Sequence, residues 1–452
     1  MSQNIPKRVT TAIIQSLGAG VVPRVGLEYI AVGRKPEIEA LLNDLDTIVA
    51  EGGASFKILV GRYGSGKSFL GQLIRNYALQ RNYVVADADV NPTRRLTGTQ
   101  GQGLNLYREL LNNLATRTRP DGNAFAALLE HWINDVQTQV LQETKLSASD
   151  PALSKAVELR IYAAINKMEG MVHGFEFATV INAYWSGYQN SNDVQKGAAL
   201  RWLRGEFSTK AEAHEALNVR TIIEDSSWYD YLKLLAYFVR DIGYKGLVIF
   251  IDEGVSLYKI SNTVARNNNY ERLLTIFNDT LQGKAQNLGI IFSGTPQMIE
   301  DRQRGLFSYD ALRTRLEESR YARDDLHDLS GPIIRLNVLT PEEIFVLLQR
   351  LREVHGLQFN YTPGVSDHEI KAFMTETLNR LGADQFLTPR EVVRDFIAIL
   401  NLLHQNPGAT FNSLVKRTVS ANSQPSPDPE ALTPETEIHD DDKPSPFTTF
   451  KL

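Results

Sequence analysis

The chain of 452 residues contains no cysteine, and its eight histidines are scattered. The lack of cysteine excludes disulfide frameworks, thiolate metal sites and cysteine nucleophiles, and it is compatible with the cytoplasmic location that we expect. No two histidines have the spacing of zinc ligands, which argues against a metalloenzyme built on imidazole.

Long hydrophobic runs are also absent. The densest apolar stretches, Leu247–Ile251 and Ile290–Phe292, have the length of strands, whereas a helix that crosses a bilayer needs about 20 apolar residues. Residues 1–20 lack both a long apolar segment and a convincing small-residue cleavage site, so they do not resemble a secretory signal. We expect no association with a membrane.

Charge of one sign is concentrated only at the end of the chain. The formal net charge is −5, and residues 419–452 alone contain seven acids and two lysines. The body of the chain is therefore neutral, which excludes a uniformly basic coat for nucleic acid but leaves a local basic groove open.

The same terminal segment has the composition of a disordered tail. It holds six prolines and three consecutive aspartates, with little apolar content before its end. Such a composition buries too little surface to offset the entropy of ordering, so we expect a disordered acidic tail over residues 419–452. The tail ends in Phe447, Phe450 and Leu452. It is either a solvated tail or a docking peptide whose aromatic side chains enter a groove of a partner.

Short apolar runs far apart in the chain have the composition of strands, namely residues 56–60, 83–86, 247–251, 289–292 and 332–336. Helical patterns separate these runs, and strands that alternate with helices indicate an α/β protein with a parallel sheet. Residues from about 100 to 240 show helix-like segments with few strand signals, so we predict a helical insertion between two strands of one sheet.

The insertion has basic spots and tryptophans. Its basic spots include Arg94, Arg95, Arg117 and Arg119, which are candidates for contact with DNA. We expect the tryptophans in the core rather than as base-stacking platforms, and they are Trp132, Trp185, Trp202 and Trp228.

Residues 340–343 (Thr-Pro-Glu-Glu) have the form of a helix start, with an N-cap, a proline at the first helical position and acids in the first turn. Amphipathic helices follow to about Val415. The predicted organisation is residues 1–50 as an N-terminal segment, 51–338 as a core that includes the insertion, 339–418 as a helical lobe, and 419–452 as the tail.

Residues 61–68 (GRYGSGKS) match the phosphate-loop pattern G-x-x-x-x-G-K-[ST] without a mismatch. The glycines let the backbone wrap around a phosphate, with N–H groups pointing inward at the positive end of the following helix. Lys67 supplies a cation to the β- and γ-phosphates, and the Ser68 hydroxyl is a ligand for Mg²⁺. The alternative is a glycine-rich turn with an incidental lysine. The predicted binding residues are Gly61, Arg62, Tyr63, Gly64, Ser65, Gly66, Lys67, Ser68 and Phe69.

The apolar run Leu247–Ile251 ends in Asp252 and Glu253. Asp252, at the carboxyl end of a buried parallel strand, can reach the Mg²⁺ held beside the phosphate loop. Glu253 can polarise a water for in-line attack on the γ-phosphate as a general base, which favours hydrolysis over binding alone. The alternative is a plain acidic turn at the end of a strand.

A second apolar run, Ile290–Phe292, ends in hydroxyl-bearing residues. If this strand neighbours the one that ends at Asp252, then Ser293 or Thr295 would lie near the γ-phosphate and could hydrogen-bond the attacking water. The alternative is an ordinary Gly-Thr-Pro turn.

Together these motifs resemble the AAA+ superfamily of ring-forming or switching ATPases. Residues 32–38, with Gly33 and Arg34, look like the nucleotide-base box of that superfamily. Residues 312–316 look like its arginine-finger segment, which makes Arg315 the better candidate and Arg313 the second for a guanidinium given to a neighbouring subunit. The alternative is a surface helix whose arginines pair with Glu317 and Glu318.

Residues 388–391 (Thr-Pro-Arg-Glu) are similar to the second sensor of the same superfamily. There an arginine from a helical lid reaches the γ-phosphate and reports hydrolysis as a movement of the lid, and Arg390 has this position. The alternative is a capped helix with an exposed arginine. The resemblance implies a P-loop NTPase of the AAA+ type, with a parallel sheet, a helical insertion and a C-terminal helical lid.

A narrower resemblance covers most of residues 5–405. Residues 16–23, 32–34, 64–69, 94–98 and 387–393 look like the ATP-binding protein of BREX-type phage-defence loci. The resemblance implies a cytoplasmic bacterial ATPase that uses ATP and Mg²⁺, forms a homo-oligomer, and works with a DNA helicase or other defence subunits. The alternatives are a nucleotide-gated scaffold with negligible turnover and a small-molecule kinase.

Overall fold

The computed structural model describes residues 5–144, 146–147, 150–168, 170–317, 328–380 and 388–415. The tail over residues 419–452, with its Phe447, Phe450 and Leu452, lies outside these described residues, as does Glu318. Among the helices of the described ranges, none combines the length and the apolar character that a bilayer span requires.

Each of the five apolar runs predicted as strands contains a strand in the structure. The strands are β1 (Ala54–Val60), β2 (Val84–Asp89), β3 (Leu247–Asp252), β4 (Leu288–Gly294) and β5 (Ile333–Arg335). They form one five-stranded sheet in the order β2-β3-β4-β1-β5, and every neighbouring pair is parallel. The predicted α/β class with a parallel sheet is therefore confirmed.

Helices surround this sheet. In chain order they are α1 (Lys7–Gly18), α2 (Leu27–Ile30), α3 (Lys35–Asp44), α4 (Lys67–Gln80), α5 (Gln102–Asn112), α6 (Phe125–Thr144), α7 (Pro151–Asn166), α8 (Gly174–Gln189), α9 (Asp193–Leu203), α10 (Lys210–Leu217), α11 (Trp228–Asp241), α12 (Val255–Tyr258), α13 (Thr263–Leu281), α14 (Pro296–Glu300), α15 (Asp310–Leu316), α16 (Pro341–Phe359), α17 (Asp367–Arg380) and α18 (Pro389–Gln405).

The sheet is apolar on both faces. Ile58 and Val60 of β1 join one apolar cluster with residues of α11 and α13, while Leu59 joins another with residues of α3 and α4. This alternation follows from the pleat, which points successive side chains to opposite faces. Because both faces are covered, the strands are continuous apolar runs, which is why they can be recognised in the sequence.

The helices α5 to α11 lie between β2 and β3, which pair directly with Val84 opposite Leu247 and Asp89 opposite Asp252. Residues of these helices extend the apolar cluster on one face of the sheet. The four tryptophans of the insertion are 0% to 5% exposed, which confirms the expectation that they belong to the core.

A separate apolar cluster joins the two ends of the described chain. Ile13 and Ile14 of α1 and residues of α2 pack with side chains of α16, α17 and α18. Residues 1–50, predicted as an N-terminal segment, include α1, which packs directly against α16 and α18. We call α1, α2 and α16 to α18 the helical lobe.

The starts of two lobe helices have the caps that their sequences predict. Thr340 and Glu343 form a capping box at the start of α16. The Thr388 side chain accepts a hydrogen bond from the Glu391 amide at the start of α18. Each helix has a proline at its first position, where the missing N–H removes no intrahelical bond.

Candidate active site

The phosphate loop joins the end of β1 to the start of α4. Gly64 and Gly66 have φ angles of 78° and 92°, a left-handed conformation that glycine adopts without steric penalty. Gly61 is required for a different reason, because a Cβ there would collide with the Ser65 hydroxyl. The Ser65 hydroxyl is buried and has no hydrogen-bond partner among the described residues. A buried unpaired hydroxyl in this loop is consistent with a polar ligand that supplies the missing partner.

Lys67 and Ser68 begin α4 and face the ends of β3 and β4. The Lys67 ammonium donates to the carbonyl oxygens of Gly61 at 2.7 Å and Arg62 at 2.9 Å, so it lies over the loop. The Ser68 hydroxyl donates to Asp252 Oδ2 at 2.6 Å. Residues 184 positions apart in the sequence are thereby in direct contact.

The other oxygen of Asp252 is bound from β4. The Ser293 hydroxyl donates to Asp252 Oδ1, because β4 is the direct neighbour of β3 in the sheet. Thr295, the other predicted hydroxyl, accepts a hydrogen bond from the Met298 amide at 3.3 Å and caps α14. Of the two hydroxyls, Ser293 is therefore the one that faces the carboxylates.

Glu253 follows β3 in a left-handed conformation with a φ angle of 56°, which is uncommon for a residue with a side chain. Burial raises the pKa of its carboxyl, and the negative charges of Asp252 and Asp89 raise it further, against the opposing effect of Lys67. A carboxylate with a raised pKa is a stronger base, which suits proton abstraction from water.

Asp89 is a site residue that the sequence analysis missed. It ends β2 directly opposite Asp252 in the parallel register. Burial and then the charge of Asp252 raise the pKa of its carboxyl. The signal was present, since the run Val84–Asp89 ends in an acid as the β3 run does, but its significance depends on the pairing of β2 with β3.

Lys67, Ser68, Asp252, Glu253 and Ser293 line one cavity of about 300 Å³, whereas Asp89 lies in the lining of a neighbouring pocket. Most of the predicted site belongs to the lining of the first cavity, together with apolar side chains such as Val22, Ile30, Val32 and Leu347. The predicted residues in the lining are Arg34, Tyr63, Gly64, Ser65, Gly66, Lys67, Ser68, Phe69, Asp252, Glu253, Ser293, Thr295 and Arg390. The predicted residues Gly33, Gly61, Arg62 and Arg315 are not part of this lining.

Gly33 and Arg34 have supporting contacts. A Cβ on Gly33 would collide with the carboxylate of Glu343, so glycine permits the close approach to α16. The Arg34 guanidinium donates to the Ser65 carbonyl at 3.0 Å and to the Asn337 carbonyl. Arg34 thus ties the phosphate loop to the chain that follows β5.

The candidate arginines occupy different places. Arg390 lines the cavity and donates to the hydroxyl of Tyr63. Arg315 instead donates to Asn278 Oδ1 of α13 at 2.8 Å and to the Ala311 carbonyl. Arg313 forms an ion pair with Asp310 at 2.9 Å, and Glu318, which the alternative interpretation named, lies outside the described residues.

The arginines considered for DNA contact also have distinct surroundings. Arg94 forms an ion pair with Glu109 at 2.7 Å, whereas Arg117 and Arg119 are exposed in a turn before α6. Arg95 is half-buried. Only part of this set is therefore directed at solvent.

The donor set suits a hard cation. Ser68 and Asp252 present hydroxyl and carboxylate oxygens beside the lysine of the phosphate loop. Oxygen ligands of this kind, few in number and next to a phosphate site, are those that Mg²⁺ prefers. The residues present therefore fit a magnesium ion.

A strand, a glycine loop and a helix N-terminus at the carboxyl edge of a parallel sheet are consistent with a P-loop-like fold. The chain matches the profile of one protein family over residues 5–419, and that family is described as BREX system ATP-binding protein BrxC/D. The chain belongs to this family, which confirms the narrower resemblance seen in the sequence. Membership assigns the chain an ATP-binding role in phage defence, within a BREX system of several proteins. A search among curated proteins found no match.

Proposed function

We propose that the chain is a Mg²⁺-dependent ATPase of the AAA+ type that couples ATP hydrolysis to a conformational change. One observation carries this proposal: Lys67, Ser68, Asp252 and Glu253 line one cavity although the chain separates them widely. The family supports ATP as the nucleotide, and the position of Glu253 in the lining of this cavity supports hydrolysis with Glu253 as the general base.

The phosphates of ATP would bind in the loop that contains Gly64 and Gly66. Backbone N–H groups and the Lys67 ammonium would hold them, since both present positive charge at the start of α4. Ser68 and Asp252 would hold Mg²⁺, which when bound neutralises charge on the phosphate oxygens. Ser293 would keep the Asp252 carboxylate in its orientation, because it donates to one of the two oxygens.

Glu253 would take a proton from the attacking water. Its raised pKa favours this role, because a more basic carboxylate accepts a proton more readily. The neighbouring Ser293 hydroxyl, which donates to Asp252, could accept a hydrogen bond from the same water, while the Thr295 hydroxyl stays with the cap of α14.

Arg390 would contact the γ-phosphate from the helical lobe. Loss of that phosphate would release one contact between the lobe and the loop, so residues 339–418 would act as a lid on a core formed by residues 51–338. Arg315 would serve the site of a neighbouring subunit in a homo-oligomer. Movement of the lid would change the grip on a partner helicase or on DNA, for which Arg94, Arg95, Arg117 and Arg119 are the candidate contacts.

The test is a steady-state phosphate-release assay with ATP and Mg²⁺ on three variants. We expect Lys67→Ala and Glu253→Gln to abolish turnover, with Glu253→Gln still binding ATP. Lys155→Ala, an exposed lysine on α7, is the matched control and should keep wild-type turnover. Unchanged hydrolysis in either site variant contradicts the proposal. Tight ATP binding by the wild type without phosphate release would instead favour the nucleotide-gated scaffold.

A further inference from the structure

Tyr63 contacts Arg390 across the boundary between the phosphate loop and the helical lobe. The Arg390 guanidinium donates to the Tyr63 hydroxyl and lies 5.5 Å from the centre of its ring. Both side chains line the cavity, and Tyr63 is 46% exposed. The phosphate-loop pattern accepts any residue at this position, so the pattern does not explain why the residue is a tyrosine.

The position of Arg390 shows why it needs such a partner. It is the second residue of α18, where the positive end of the helix disfavours a cation. The negative face of an aromatic ring offsets this effect and restricts a long, flexible side chain. The start of α18 lies close against the phosphate loop, since a Cβ on Gly64 would be 2.7 Å from the Thr388 side chain. This close approach places the backbone of Arg390, but it does not determine the direction of the guanidinium.

We infer that Tyr63 is a positioning residue that holds Arg390 for the terminal phosphate of ATP and so sets the discrimination between ATP and ADP. A guanidinium has five N–H donors, and the tyrosine hydroxyl accepts from one of its nitrogens, which leaves other donors for a phosphate. The inference rests on the proposed function, because it assigns Tyr63 a part in the same site.

The experiment measures dissociation constants by calorimetry, with Mg²⁺, for ADP and for a non-hydrolysable ATP analogue. The chains compared are wild type, Tyr63→Phe, Tyr63→Ala, Arg390→Ala, the double variant Tyr63→Ala with Arg390→Ala, and Arg394→Ala. Arg394 lies one turn further along α18, outside the cavity lining, and serves as the matched control.

We expect Tyr63→Ala to raise the dissociation constant of the ATP analogue about tenfold, which is the scale of one lost charge-assisted hydrogen bond. The dissociation constant of ADP should change less than about twofold. Tyr63→Phe keeps the aromatic ring and should raise the dissociation constant of the analogue about threefold. The double variant should bind as Arg390→Ala does, because the tyrosine acts through the arginine. Arg394→Ala should keep the wild-type ratio.

Three results would overturn the inference. Equal weakening of ADP and the analogue by Tyr63→Ala would show a damaged loop rather than a misplaced arginine. Tighter binding of the analogue would show that the ring competes with the phosphate for Arg390. A wild-type chain that binds neither nucleotide would remove the proposed function, and the inference with it.

Discussion

The α/β core and the helical lobe meet at one cavity, but they are held there by different kinds of contact. The phosphate loop continues from the sheet, where the Gly61 amide donates to the Gly294 carbonyl at 3.2 Å and the Leu336 amide to the Val60 carbonyl at 2.7 Å. Side chains from outside the sheet reach the loop, namely Arg34, which precedes α3, to the Ser65 carbonyl and Arg390 of the lobe to the Tyr63 hydroxyl. The residues of the phosphate loop are therefore held by backbone hydrogen bonds, whereas Arg34 and Arg390 reach the loop only through their side chains.

The two regions also bury different apolar clusters. The insertion and one face of the sheet share one cluster, while the cluster of the lobe is formed mainly by both ends of the described chain and also includes Leu73 of α4. All four tryptophans of the sequence lie in the insertion, so tryptophan fluorescence reports on that region and leaves the lobe silent. Tryptophan fluorescence thus follows the insertion alone, while far-UV circular dichroism follows the helices of both regions.

The largest effect is expected from Phe396→Ala in the lobe. Phe396 is fully buried and packs against Phe373 with ring centres 5.6 Å apart. Its truncation should lower the free energy of unfolding by about 3–5 kcal/mol through lost burial and the cavity left behind. Denaturant unfolding followed by far-UV circular dichroism should show this loss, while the tryptophan transition should move much less.

The control for this prediction is Leu402→Ala on the same helix. Leu402 is 45% exposed, so its truncation should change the free energy of unfolding by less than about 0.5 kcal/mol. If Phe396→Ala shifts both probes together, the two regions unfold as one cooperative unit and the distinction drawn between them fails.

Much of the core could be predicted from the sequence, and the reason is local. The strands are buried on both faces, so each is a continuous apolar run, and the phosphate loop is a contiguous pattern of glycines and a lysine. The helix starts at Thr340 and Thr388 are local too, because a capping residue acts within its own first turn.

What could not be predicted depends on contacts between distant residues. The packing of α1 against α16 and α18 leaves no periodic signal that distinguishes it from packing against the sheet. Asp89 becomes a site residue only because β2 pairs with β3, which the sequence does not state. The contact of Arg315 with Asn278 likewise depends on how α15 lies against α13.

A smaller effect is expected at the phosphate loop, from Arg34→Ala. Its guanidinium holds two backbone carbonyls and pairs with Glu37 at 3.3 Å, and its side chain is 12% exposed. The loss of hydrogen bonds from a charged donor should raise the free energy of the ordered loop by about 1.5–3 kcal/mol. Because the whole loop becomes less ordered, calorimetry should show that the dissociation constants of ADP and of a non-hydrolysable ATP analogue rise by about the same factor.

This outcome distinguishes the role of Arg34 from that of Tyr63, because Tyr63→Ala should weaken binding of the ATP analogue and leave ADP binding nearly unchanged. The matched control is Arg24→Ala, an exposed arginine in the N-terminal segment, which should leave both dissociation constants unchanged. Selective loss of the ATP analogue in Arg34→Ala would mean that this arginine contacts the terminal phosphate rather than supporting the loop.

The smallest effect is a pH dependence confined to the lobe. His355 is fully buried, with Nε2 3.0 Å from Asn401 Oδ1 and Nδ1 2.9 Å from the Tyr361 hydroxyl. Burial lowers the pKa of His355, and the charge of His404 lowers it further, against the hydrogen bond to Asn401. Folding therefore favours the neutral form of His355, whereas the unfolded chain takes up a proton near the ordinary pKa of about 6.5.

Because protonation favours the unfolded chain, the lobe should be most stable above pH 6.5 and should lose stability as the pH falls through the folded pKa. The slope for one proton is at most about 1.4 kcal/mol per pH unit. Denaturant unfolding followed by circular dichroism between about pH 5 and 8 should show this slope. His355→Gln, which can keep polar contacts but does not titrate, should flatten it. The exposed His368→Gln on α17 should leave it unchanged, and a slope that survives His355→Gln would assign the titration to another group of the lobe.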